Sequence, residues 1–415
     1  QSTPGSTRMQ ATTTSLYALG VTMEDAIHAL LRPVLSKREL ATLGFDGNAT
    51  IASRLRDFAT LQQTVAATAP RLAAWTDRES STYADGHRTT YLAQRALMAV
   101  FVDVTERSPT FRLAPLDRAN ATERKSWIQV WTPAADANAA WDALLHRPFH
   151  GLVPALYAKP FDTQIEDPWL HAAAQRSLAN AGAEQQRLYD LSFSADNLRK
   201  FGPGESDHGA MILLGDESPR IGEQWLRTFA GKGAVPVVVH VGNAPLPADA
   251  LDALHKQLPQ LAVFDFTVPF AHDPLQVSQT LGLKMLLNAH STGIMAKLGR
   301  VVGNTMTAVQ PSNLKLYGRA TFLIQSHVDT VLASAKWKQA NGETPPLTYA
   351  QANAVLFDAI GKRSGNPALA GSPEVELAIV RILESLRLQR AISWEDAAAL
   401  LRERKLDRYL ADYDD

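Results

Sequence analysis

Apolar residues recur at helical spacing from the start of the chain. Leu16, Leu19, Met23, Ile27, Leu30 and Leu31 predict one amphipathic helix over residues 7–31. Asn48 has the chemistry of an N-cap, and Ile51, Leu55, Phe58, Leu61 and Val65 predict a second long helix reaching Trp75. The period then shortens. Arg88–Ala93 reads as a strand, and residues 94–104, with Leu97, Met98, Phe101 and Val102, as a buried helix. Ala210–Leu214, Val235–Val241 and Leu261–Val268 predict further strands, and helices follow them over 219–230, 246–258 and 274–303. Strands alternating with helices predict an α/β fold, a mainly parallel sheet covered by helices.

Residues 114–200 break this rhythm with scattered Trp127, Trp131, Trp141 and Trp169 among prolines, and read as an insertion. From 306 onward the pattern is helical throughout and predicts an all-helical C-terminal cap. Ser372-Pro373-Glu374 has the order of an N-cap with Pro at N1, and Ser393-Trp394-Glu395-Asp396 that of a capping box with Asp for Glu.

Composition narrows the classes. The 415 residues carry 41 Lys+Arg against 42 Asp+Glu, a net charge of −1, which argues against a nucleic-acid or polybasic membrane surface. No run approaches the roughly 18 apolar residues of a membrane span. With no cysteine, disulfides, thiolate nucleophiles and Cys-ligated zinc are excluded. Gln1 to Met9 lacks the apolar core of a signal peptide and reads as a turn opening into a helix.

Several motifs carry candidate chemistry. Gly202-Pro203-Gly204 precedes a strand and reads as a surface turn, not a phosphate loop. Gly215-Asp216-Glu217-Ser218 does lie between a strand and a helix, but its carboxylates would repel phosphate and satisfy the helix end themselves. His146 and His150 are four apart with Pro148 between them, so no metal site is expected there. Ser6, Thr7 and Arg8 put hydroxyls, open N–H groups and a fixed positive charge at a helix start, where an anion binds. Glu106 follows an apolar helix at the mouth of the sheet, placed for acid or base work or for an ion pair with Arg107 or Arg112. Lys284 lies within an apolar helix, either snorkelling or reaching a substrate phosphate.

Taken in order, these segments resemble the sugar isomerase (SIS) family, in the branch holding glucokinase regulatory protein and N-acetylmuramic acid 6-phosphate etherase. The resemblance rests on Leu287-Asn288-Ala289-His290-Ser291-Thr292-Gly293 and its continuation through Leu298-Gly299, Asn304-Thr305-Met306 and Ser312-Asn313-Leu314-Lys315-Leu316 to Arg319-Ala320. It rests also on Gly86, His87, Asp103, Glu106, Thr110 and Phe111, on Leu214-Gly215-Asp216 with Ser218, and on the Ala-rich stretch after Ile392-Ser393. Gly5-Ser6-Thr7-Arg8-Met9 resembles the signature that closes a first SIS domain, whose core would lie upstream of residue 1. The chain would then run as a terminal helix (1–31), a helical linker (32–80), a second SIS domain (81–305, insertion at 114–200) and a helical lid (306–415).

The resemblance implies a role for each matched residue. Glu106 matches a glutamate that is an acid/base in the etherases and a sugar contact in the regulatory protein. Lys284 matches a lysine reaching the sugar phosphate, Ser6 and Thr7 match hydroxyls near it, and Arg8 and Ser291 belong to the same binding motifs. Where a catalytic SIS domain has a Gly-Thr-Ser-Gly phosphate cradle, this chain has Thr90-Tyr91-Leu92-Ala93-Gln94-Arg95, so the domain is not expected to hold phosphate alone. The expected function is a phosphosugar-binding regulator or sensor; the alternative is a lyase cleaving the lactyl ether of N-acetylmuramic acid 6-phosphate. The resemblance implies a cytoplasmic protein with no cofactor or metal, a sugar phosphate as ligand, and a sugar kinase or a second copy of the chain as partner.

Overall fold

The computed structural model describes residues 7–45, 51–151, 153–179, 182, 186–269, 273–312 and 314–414. The chain divides into two compact units, one of Ala11–Thr105 with Ala114–His290, the other of Glu106–Leu113 and Ser291–Asp415 with the first turn of the opening helix.

The first unit is built on five strands, β1 (Thr89–Ala93), β2 (Ile128–Trp131), β3 (His208–Leu214), β4 (Val235–Gly242) and β5 (Ala262–Thr267). All pair in parallel, in the order β2-β1-β3-β4-β5. This is a doubly wound order whose topological switch falls between β1 and β3. Every residue of β1, β2 and β3 is buried, as a sheet covered on both faces requires. Helix Glu223–Ala230 sets Leu226 against Met211, Leu213 and Val238, while its Phe229 joins Leu92, Trp131 and Phe201. Helix Ala69–Ala84 lays Trp75 over Phe264 and Phe266 of β5, at ring distances of 6.3 and 6.1 Å.

A polar cluster lies within this apolar packing. Glu79 accepts from Tyr83 Oη at 2.5 Å, from Tyr91 Oη at 2.7 Å and from His290 Nε2 at 3.0 Å. His290 stacks on Trp75 at 3.5 Å, and its Nδ1 lies 3.2 Å from the Thr76 hydroxyl. The Glu79 carboxylate accepts, so His290 Nε2 is the donor of that pair, and both ring nitrogens have partners.

The second unit is helical. Helices Leu314–Ala333, Tyr349–Arg363, Glu374–Arg387 and Trp394–Glu403 share one core around Ile324, Leu356, Ile379 and Trp394. Ser393 accepts the Asp396 N–H at 3.0 Å and Asp396 returns to the Ser393 N–H at 3.3 Å, the expected capping box.

Some boundaries differ from expectation. The helix expected to run to Trp75 is two, Ile51–Ala67 and Ala69–Ala84, because Pro70 has no N–H to continue the ladder; Asn48 lies outside the described residues. Helix Leu97–Phe111 runs past 104 and contains Glu106. Pro373, not Ser372, is the N-cap of Glu374–Arg387; the Ser372 carbonyl accepts from Arg363 Nε at 3.0 Å. The stretch 114–200 supplies β2, paired along β1 from Ile128 to Trp131.

Candidate functional site

In open parallel sheets ligands sit beyond the carboxyl ends of the strands, at the switch point. Here that crevice is filled from within. After β3 the chain turns at Gly215, whose φ of +72° favours glycine, and brings Glu217 back under the strand end. One Glu217 carboxylate oxygen accepts the Leu214 N–H at 2.7 Å; the other accepts the Arg95 N–H, beyond β1, at 3.1 Å. The space left between β1 and β3, lined by Gln94, Leu213, Glu217 and Trp225, is only about 10 Å³. Burial pushes the Glu217 carboxyl up, partly offset by these two N–H groups. Asp216, exposed beside it, pairs with the Arg95 guanidinium and is held below the usual carboxylate range by that bond.

The open space is one strand over. A cleft of about 590 Å³ lies at the ends of β3 and β4, lined by Gly215–Ser218, His240, Asn243–Pro247, Asp273, Pro274, Gln276, Gln279 and the Thr42–Gly44 turn. His240 is clamped between two acceptors, Asp265 Oδ1 at 2.7 Å and the Gly215 carbonyl at 2.8 Å. Burial alone would raise Asp265, but the bonds from His240 and from the Leu246 N–H at 2.7 Å hold it below its ordinary value. On the far wall Asp273 accepts the N–H groups of Ser278 and Gln279, at 2.9 and 2.8 Å, and lies 3.7 Å from Arg54. Burial raises its carboxyl, against those bonds.

The residues singled out from the sequence are placed as follows. Lys284 is a quarter exposed and its Nζ lies 3.3 Å from Oδ1 of buried Asp103, so the cation is paired rather than snorkelling. Glu106 is half-buried, one turn beyond Asp103 on helix Leu97–Phe111. Arg112, offered as its ion-pair partner, instead pairs with Glu374 at the start of Glu374–Arg387. Ser291 is buried within helix Val277–Lys297. Ser6 lies outside the described residues, as do the side chains of Thr7 and Arg8, whose backbone opens helix Thr7–Leu31.

Sequence reasoning singled out the Gly215–Ser218 turn but not its occupancy of the switch point, and it missed Gln279 and His240. The only signal was the turn itself; the N–H groups that Glu217 meets come from the last residue of β3 and from a residue just past β1, more than a hundred residues apart. Ser218, not the carboxylates expected to satisfy the helix end, caps the 3-10 turn Pro219–Gly222 by accepting the Arg220 N–H; Asp216 and Glu217 are engaged by Arg95 and by the Leu214 and Arg95 N–H groups instead. Among the described residues no group of three or more His, Asp or Glu side chains is arranged to hold a metal, and no helix is long and apolar enough to cross a membrane.

No family model matches the chain. Over 53 residues, 13% of its length, it is 47% identical to N-acetylmuramic acid 6-phosphate etherase 1 of Enterococcus faecalis, 18% of which is covered. A stretch of the same length is 47% identical to the etherase of Porphyromonas gingivalis, covering 19% of that protein. A 42-residue stretch is 52% identical to the etherase of Crocosphaera subtropica, covering 14% of it. The chain thus spans less than a fifth of these curated relatives. The similarity supports a relationship to the sugar isomerase group at that level and no finer placement.

Proposed function

We propose that this chain belongs to a sugar-phosphate-binding protein of the sugar isomerase type that acts as a sensor or regulator, resembling glucokinase regulatory protein. The observation that carries the reading is the Glu217 carboxylate on the Leu214 and Arg95 N–H groups. An enzyme built on this sheet would keep those donors open for the phosphate of its substrate, because strand-end N–H groups are the ready anion site. A fixed internal carboxylate there both fills the space and repels a dianion. The short similarity to etherases supports the ligand class, a sugar phosphate. Glu106, Lys284, Ser291, Ser6, Thr7 and Arg8 are the residues this reading assigns to it: the carboxylate for a sugar hydroxyl, the cations and hydroxyls for phosphate.

The competing reading is the lyase, favoured by the etherase similarity and by the sequence resemblance of the Glu106-Arg107-Ser108-Pro109-Thr110-Phe111 stretch to the family's acid/base segment. One pair of measurements separates them. Calorimetry with hexose 6-phosphates is expected to give saturable binding, weakened in Glu106→Gln and Lys284→Met. Incubation with N-acetylmuramic acid 6-phosphate is expected to release no lactate. Lactate release that falls ~10²–10⁴-fold in Glu106→Gln, the usual loss of a general acid or base, would replace the sensor with the lyase.

A further inference from the structure

The cleft between the ends of β3 and β4 has a composition that phosphate chemistry does not explain. Among the described residues no Lys or Arg lines it, whereas Asp216, Glu217 and Asp273 do. Each of those charges already has partners: Arg95 for Asp216, two backbone N–H groups for Glu217, two more and Arg54 for Asp273. His240 is likewise held on both sides. Beyond these pairs, the polar side chains of the described residues lining the cleft are neutral amides and hydroxyls.

Two of the amides converge. A Cβ placed on Gly215 would fall 2.6 Å from Gln276 Nε2 and 3.0 Å from Gln279 Oε1, so the glycine leaves room for both groups over the turn. Gln276 reaches this position from left-handed backbone, with φ of +55°, an uncommon conformation for a non-glycine residue. Gln279 is only 4% exposed, and its Oε1 has no hydrogen-bond partner among the described residues. A buried carbonyl oxygen left without a donor costs roughly as much as a lost hydrogen bond, and such groups in native proteins call for an explanation. A ligand O–H supplies the missing donor.

We infer that this cleft is a binding site for a neutral, hydroxyl-rich ligand of the size of an unphosphorylated sugar, read by the side-chain amides of Gln276 and Gln279. The cleft's volume of about 590 Å³ falls within the roughly 300–1,000 Å³ of small-molecule sites. Among the described lining residues no Lys or Arg offers a phosphate its counter-charge, and the carboxylates, each already partnered, leave no bare charge to recruit a cation. The inference goes beyond the sugar-phosphate reading and does not depend on it.

The test titrates the whole chain with D-glucose and N-acetyl-D-glucosamine, and with the 6-phosphate of each, by calorimetry and ligand-observed NMR. At least one unphosphorylated sugar is expected to bind saturably. Gln279→Leu, which removes an acceptor that has no partner among the described residues, is expected to weaken it roughly tenfold without lowering the melting temperature. Gln276→Asn keeps a residue tolerant of left-handed backbone while withdrawing the amide, and is expected to weaken it similarly. Glu106→Gln should leave this binding intact, so that a failed sugar-phosphate reading and a failed cleft give different results. The inference is overturned if neither unphosphorylated sugar binds, if both Gln variants bind as tightly as wild type, or if the 6-phosphates compete at this cleft with equal strength.

Discussion

Glu217 accepts the backbone N–H of Arg95 at 3.1 Å across the point where the strand order reverses, a bond between a turn and a strand end 122 residues apart. Replacing Glu217 with Ala leaves that N–H and the Leu214 N–H without their acceptor, at a cost of about 1–3 kcal/mol. It also opens an anion site. Inorganic phosphate is therefore expected to raise the melting temperature of Glu217→Ala and not of wild type. Equal response of the two proteins would mean the carboxylate is not what keeps phosphate out.

Glu376 gives the second unit a dependence on pH. Burial pushes its carboxyl up to about 7, against a hydrogen bond from the Thr307 hydroxyl at 2.9 Å and the charges of Arg112 and Arg300. The unfolded chain titrates this group near its ordinary 4.5, so between 4.5 and about 7 the folded state holds the extra proton. Stability should accordingly fall as pH rises through that window, by on the order of 3 kcal/mol. Glu376→Gln should flatten the slope and be the more stable protein above the window. Chemical unfolding across a pH series reads both; a slope unchanged by the substitution would refute the assignment.

The Glu79 cluster predicts a graded series. Tyr91→Phe removes one donor from a carboxylate that keeps Tyr83 and His290, and should cost about 1 kcal/mol. Glu79→Ala strands three donors among apolar groups and should cost about 3–5 kcal/mol. Urea unfolding of the two variants is expected to preserve that order, and a larger loss in Tyr91→Phe would contradict the network.

The capping box at Ser393 makes the smallest prediction. Ser393→Ala frees the Asp396 N–H at the start of Trp394–Glu403 and should cost about 1 kcal/mol, with little change in sugar binding.

How much of this was legible depended on the range of the interaction. The four longer strands and the helices after them announce themselves because β-branched runs and the 3.6-residue period are local properties; Val235–Gly242 and Ser393–Asp396 needed nothing beyond their own segments. β2 escaped because Ile128–Trp131 is four residues long and becomes a strand only through its pairing with Thr89–Leu92. The same limit applied to chemistry. A carboxylate in the Gly215–Ser218 turn was visible, but that it closes the switch point depends on where β1 ends. Gln279 looked like any polar residue near the start of a helix, since an acceptor without a donor is a property of the packed state alone.

The segment 114–200 is tied into the sheet through Arg124, which is buried. Its guanidinium donates to the Thr90 hydroxyl and to the carbonyls of Thr89, Phe201, Ser126 and Trp127, and burial depresses it to about 10. A lysine has three donors in another geometry and cannot hold all five acceptors. Excising 114–200 to obtain a smaller domain would therefore not trim a loop. It would remove β2 and Arg124 together and bare the flank of β1, a run of five buried residues with unpaired backbone groups. A naked hydrophobic edge of that kind recruits other chains. The shortened protein should self-associate through that edge.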